Sequence, residues 1–170
     1  MAKPHSIVGI IKEISPSVRQ LDKTIQKKID SKRYEEINFQ DGNISLLDKS
    51  KPESEIWSDV LHSSYKSNSS VYVKLDPDIR VITELNLPLK VRVKEISHID
   101  DNVEVKLFIS HARHYLNHSN PDFTSLLESL QNTKEKNMDV LVTEKQDTHE
   151  IIDVQPLPNN NSTTTTKNEH

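Results

Sequence analysis

The chain contains no cysteine and only two glycines, Gly9 and Gly42, in 170 residues. Without thiols there are no disulfides, cysteine nucleophiles, thiolate zinc sites or cysteine-held iron–sulfur clusters. Phosphate-cradling loops, the dinucleotide fingerprint and the nucleophile elbow all need glycines close together, so that backbone can approach a ligand or turn sharply. Gly9 and Gly42 stand too far apart to build any of these. Long hydrophobic runs are missing as well. The stretch Ile7–Ile11 ends at Lys12 and Glu13, too short for a signal-peptide core or a bilayer span. No membrane association is expected, and with no call for disulfides the expected compartment is the reducing cytoplasm. The formal charge of −4 speaks against a surface that is one continuous polyanion footprint, while leaving room for a local basic face.

What the chain does have is periodicity. Hydrophobic residues make up 33% and charged residues 28%, with the apolar positions in patterned clusters separated by polar runs. A single domain is expected over residues 1–155. The remainder, 156–170, reads PLPNNNSTTTTKNEH and has the composition of a disordered polar tail.

The organising feature is a helix followed by a hairpin that recurs. Trp57, Leu61, Val71 and Val73 match Leu126, Leu130, Val140 and Val142 at a constant offset of 69. These positions define pseudo-repeat units at 53–86 and 121–155. A strand is expected at Ile7–Ile14, and a helix over Val18–Ile29 with Val18, Leu21, Ile25 and Ile29 on one face. A hairpin turns at Asp41-Gly42, where the turn needs positive φ. A helix from Glu53 to Lys66 is expected to bury Ile56, Trp57, Val60 and Leu61.

Val71–Leu75 and Ile79–Leu85 flank the turn Asp76-Pro77-Asp78. Alternating strands run from Leu89 and from Val103. Ser110–His118 reads as a short helix, followed by a helix carrying Phe123, Leu126, Leu127 and Leu130 inward. Val140–Thr143 and Ile151–Val154 close the second hairpin. The fold class implied is α+β: a mostly antiparallel sheet built from hairpins, with about three packed helices and an internal helix-plus-hairpin pseudo-repeat.

Three groups of residues are candidates for chemistry. His111, His114 and His118 fall at helical spacings, and neutral imidazole ligates zinc, copper or nickel. A metal-dependent hydrolase would use that row, with His98 or Asp122 supplying a further ligand. The second group is a basic strand face. If the middle strands share one sheet, Tyr72, Lys74, Lys90, Arg92, Lys94, Lys106 and Phe108 gather on its outer side and offer charge for phosphate and rings for bases. On most proteins such lysines only solubilise a sheet and discourage edge pairing.

The third group is acidic: Asp76, Asp78, Asp100, Asp101 and Asp147. Each sits at a turn, where aspartate is favoured for local reasons. Trp57 reads as a core anchor. The preferred functional reading is a non-catalytic intracellular binding or adaptor module with a protein partner and no cofactor, whose hairpin edges allow a homodimer. Nucleic acid or polyanion binding through the basic face is the first alternative, and the histidine-row hydrolase the second.

Overall fold

The computed structural model describes residues 5–108, 110, 112–145 and 147–157. The chain is α+β, with two antiparallel five-stranded sheets and three α-helices among these residues. It divides into two compact units, one made of the chain up to Leu89 with Thr143–Thr148, the other of Lys90–Val142 and the chain from His149. Among the described residues no helix is long and apolar enough to cross a membrane.

The first sheet is built on β1 (Ser6–Ser15), with β2 (Tyr34–Phe39), β3 (Ile44–Asp48), β4 (Ser70–Leu75) and β5 (Ile82–Asn86), in the order β3-β2-β1-β4-β5. β1 divides its pairing. Its first half lies against β4, from Ser6↔Lys74 to Ile10↔Ser70, and its second half against β2, from Ile11↔Phe39 to Ser15↔Glu36. A bulge between Ile11 and Glu13 marks the change of partner. Bulges bend and twist a strand, and this bend lets the sheet curl until its edges meet: Leu46 of β3 bridges Val81 in parallel, just ahead of β5. The result is a small Greek-key barrel closed on itself.

Between β3 and β4 runs α2 (Ser54–Ser67). Its face Trp57, Val60 and Leu61 packs on a core of Ile7, Ile11, Ile37, Phe39, Leu47, Val71 and Val73. Fully burying each such side chain is worth roughly 1.5–3 kcal/mol. Ile56, expected inward, is instead 69% exposed, because it lies off the stripe that carries Trp57 and Leu61. The helix ends where Asn68 takes a left-handed φ of 56° and Ser69 N–H donates to the Ser64 carbonyl, a turn asparagine tolerates better than most residues.

The second sheet contains β6 (Leu89–Ile99), β7 (Asn102–Leu107), β8 (His114–Asn117), β9 (Asp139–Glu144) and β10 (Ile151–Pro156), in the order β10-β9-β6-β7-β8. This is the first sheet's order again, with α3 (Phe123–Glu135) at the same point of the connectivity, between the third and fourth strands. β6 carries a bulge between Val93 and Glu95, and closure comes from a parallel bridge between Tyr115 and Glu150. Its core contains Val91, Val93, Val103, Val105, Leu116, Leu126, Leu130, Val140 and Ile151, with Phe123 and Leu127 packed at its margin. α3 also ends beside a left-handed asparagine, Asn137, with φ 51°.

Two expectations are corrected. Within the expected helix Ser110–His118, the residues His114–Asn117 form strand β8, paired with Asn102–Val105 of β7. Tertiary pairing overrides local spacing there, since a barrel with this connectivity needs a third strand. The segment Val18–Ile29 is not a long helix either. Only Lys23–Gln26 (α1) is helical, capped by Asp22, whose side chain accepts from Thr24 N–H. The apolar positions still converge, because Val18 and Leu21 are buried with Tyr34, Leu46 and Val81, and Ile25 and Ile29 pack beside them.

The expected strand Ile79–Leu85 starts later, at Ile82, because Asp76–Val81 is a closed turn. His111 and Ile109 lie outside the described residues, as does 158–170, most of the expected tail. Pro156 is the last residue of β10.

Candidate anion-binding site

The cavity that draws attention lies in the first unit, where the β1–β2 loop, the β2–β3 hairpin and the β4–β5 turn come together. It has a volume of about 280 Å³ and is lined by Gln20, Leu21 and Asp22, by Gly42, Asn43 and Ile44, and by Arg80. Each wall has its own local cause.

The loop wall is set by Glu36, a fully buried carboxylate on β2. Its Oε2 accepts the backbone N–H groups of Arg19 (2.9 Å), Gln20 (2.9 Å) and Leu21 (3.1 Å), while Oε1 accepts from Asn38 Nδ2 at 3.0 Å. Three consecutive amides aimed at one anion cannot also make helical bonds. This is why the helical spacing of Val18 to Ile29 fails to produce a helix here. Charge-assisted bonds of this kind are worth roughly 1.5–3 kcal/mol each. Gln26 adds a bond from Nε2 to the Arg19 carbonyl at 3.2 Å.

The hairpin wall turns at Gly42, whose φ of +90° is open to glycine and strained for other residues. Asp41 holds Asn43 through its backbone N–H and its side-chain amide, at 2.8 and 2.7 Å.

The third wall is the turn Asp76–Val81. Asp76 Oδ1 accepts from Asp78 N–H (2.8 Å) and Ile79 N–H (3.1 Å), and the Asp76 carbonyl accepts Arg80 N–H at 2.9 Å. This closed turn leaves Arg80 at φ 61°, a left-handed conformation uncommon for a long side chain. The Arg80 carbonyl accepts Leu46 N–H at 2.9 Å, so its backbone is part of the barrel closure.

Arg80 is only 5% exposed. Its Nε donates to the Ile44 carbonyl at 2.9 Å, and its two terminal amino groups have no partner among the described residues. Burial pushes the guanidinium below the ordinary arginine value, with no acidic group acting in the other direction. Arginine nonetheless remains charged in proteins. A buried cation without a carboxylate is costly, and an anion in the cavity would complete its fork bidentately. Elsewhere in the same unit arginine is satisfied in the ordinary way: Arg33 meets Asp48 through two bonds, at 3.0 and 2.8 Å. That pair and Ser50 hold the Asp48 carboxyl well below the usual range.

The residues singled out from sequence lie elsewhere. Tyr72 and Lys74 belong to β4 of the first sheet, whereas Lys90, Arg92, Lys94 and Lys106 belong to β6 and β7 of the second, and Phe108 follows β7. The shared sheet assumed for these seven residues does not exist, because the barrel connectivity places β4 beside β1. Tyr72 is buried, while Phe108 is 58% exposed. Much of the cationic character is also met by acids. Arg92 Nε lies 2.9 Å and Lys90 Nζ 3.8 Å from Asp139, and Lys106 lies 3.4 Å from Glu95.

Of the histidine row, His114 is buried in β8, and His118 lies against the Phe123 ring with centroids 4.2 Å apart. The two do not share a helix face. His114 instead meets His149. Arg80 and His149 were both missed from the sequence, since neither lies in a recognisable motif. The one available signal for Arg80 was a long cationic side chain placed two positions after a turn-forming Asp-Pro-Asp.

Comparison with protein-family models, curated proteins and solved structures finds no match at any of the three levels.

Proposed function

We propose that this chain is a non-catalytic recognition module whose first barrel takes an anionic group of its partner, a carboxylate or a phosphate, onto Arg80. The observation that carries this reading is the Arg80 side chain at the wall of a cavity, on a residue only 5% exposed, whose terminal amino groups have no partner among the described residues. At about 280 Å³ the cavity lies at the small end of ligand pockets and suits one charged group with its immediate neighbours. Asp22 on the same lining adds an acid to the rim. That charge disfavours a densely charged polyanion.

The strand order and the helix between strands three and four are those of OB-type barrels. Many of these bind oligonucleotides or oligosaccharides through strands two and three and the loops joining strands 1–2 and 4–5. That likeness is one of fold, and fold does not dictate ligand. Single-strand binding relies on rings on which bases stack. Here the aromatic residues of β2, Tyr34 and Phe39, are both buried, which favours an isolated anion over a stacked strand.

The test is thermal stabilisation by inorganic phosphate and by acetate against sodium chloride at equal ionic strength, for the wild type, Arg80→Lys and Arg80→Ala. Specific stabilisation in the wild type, reduced in Arg80→Lys and absent in Arg80→Ala, is the expected result. Equal responses in all three proteins would overturn the reading. Polarisation assays with a single-stranded oligonucleotide and with an acidic peptide then identify the source of the anion.

A further inference from the structure

The second unit holds a different cluster, and it does not depend on the anion reading. His114 lies in β8 and is 4% exposed, while His149 lies exposed in the segment leading to β10. The two rings meet with centroids 4.9 Å apart and planes at 65°. Ser110 Oγ is 2.7 Å from His114 Nε2.

We infer that His114 and His149 form a two-imidazole site for a borderline transition-metal ion such as zinc, copper(II) or nickel. Three observations carry this. The first is ring separation. A nitrogen about 2.0–2.1 Å from zinc places its ring centroid about 3.2 Å from the ion, so two imidazoles at a tetrahedral angle have centroids about 5 Å apart. The observed 4.9 Å matches that spacing, and the candidate ligand atoms of His114, Glu144 and His149 all lie within 4.8 Å of one another, close enough for small side-chain shifts to bring them onto one ion.

The second is the hydrogen bond from Ser110. In the tautomer that donates Nε2–H to the serine, the lone pair is on His114 Nδ1, and an outer partner of this sort is what orients metal-bound histidines. The third is access. One ligand is fixed in a strand, and the other is open to solvent, so an ion can enter and water can complete its shell. Imidazole nitrogen selects zinc, copper and nickel over calcium and magnesium, which prefer oxygen.

Calorimetric titration of the full-length chain with zinc chloride tests the site, with copper(II) electron paramagnetic resonance reporting nitrogen ligation. The wild type should take up a saturable equivalent whose copper spectrum shows two coupled nitrogens. His149→Ala, at an exposed position that leaves the core intact, should lose that equivalent. Ser110→Ala should weaken it by about tenfold to a hundredfold, as removal of an outer-shell partner does. His98→Ala, at an exposed position on β6, should change nothing.

Absence of saturable uptake would overturn the proposal and reduce the pair to ring packing, which tolerates the same separation. Uptake that survives in His149→Ala would overturn it equally, by assigning the ion to other histidines.

Discussion

The two barrels share their strand order, the place of their helix, a bulge in the first strand and a left-handed asparagine after the helix. They differ most between their first two strands. β6 and β7 are joined by Asp100 and Asp101, whereas β1 and β2 are separated by Pro16–Arg33. The longer connection supplies Gln20, Leu21 and Asp22 to the cavity beside Arg80, and it requires Glu36 to hold it. The comparison teaches that the strand framework is indifferent to what is grafted on its loops. The proposed recognition site lies where one loop is long enough to form a wall and a buried charge anchors it.

If the two frameworks are equivalent, matched core truncations should cost alike. Leu61→Ala and Leu130→Ala each empty a fully buried position on the corresponding helix and should each cost about 2–5 kcal/mol in denaturant unfolding. A large loss in one and none in the other would break the comparison.

The asymmetry of the loops predicts the next effect. Glu36→Gln places an amide against three backbone donors and should cost about 2–4 kcal/mol. It should also speed tryptic cleavage after Arg19 and Lys23 and weaken phosphate stabilisation. Unchanged proteolysis would show that the loop is held by its apolar contacts instead.

The smallest expected effect sits in the second barrel. Burial raises the Asp153 carboxyl above its ordinary value, and its Oδ2 has no partner among the described residues. A raised carboxyl stabilises the fold below its unfolded value and loses that contribution as pH climbs through the folded one. Asp153→Asn should therefore raise the melting temperature near neutral pH by roughly 1–3 °C. Its advantage over the wild type should widen between pH 4 and 7. A gap that stays constant with pH would show that the gain does not come from the charge.

Much of the framework was legible in the sequence because it is written in side-chain period. The antiparallel α+β layout with three helices follows that period, and the Asp41-Gly42 turn joins β2 to β3 as expected. The failures share a cause in long-range pairing. β8 is a strand because β7 needs a neighbour, and the 18–29 segment is mostly loop because Glu36, on another strand, takes its amides.

The candidate cavity was not legible for the same reason. Its walls are separated by up to sixty residues of chain, and what distinguishes Arg80 is that its terminal amino groups have no partner among the described residues, a property no local spacing can express. Neither the cationic strand residues nor the histidine spacing pointed to it.

Where each barrel closes, a main-chain carbonyl receives the third strand's amide: that of Arg80 takes Leu46 N–H, and that of His149 takes Tyr115 N–H. The closing hydrogen bond at this point belongs to the backbone, and at the first seam the Arg80 side chain adds its Nε bond to the Ile44 carbonyl, leaving its terminal amino groups for other contacts. A guanidinium occupies one such place and an imidazole the other. Exchanging the residue at this seam is thus a route by which chains of this design could trade one ligand chemistry for another while their strands stay in register.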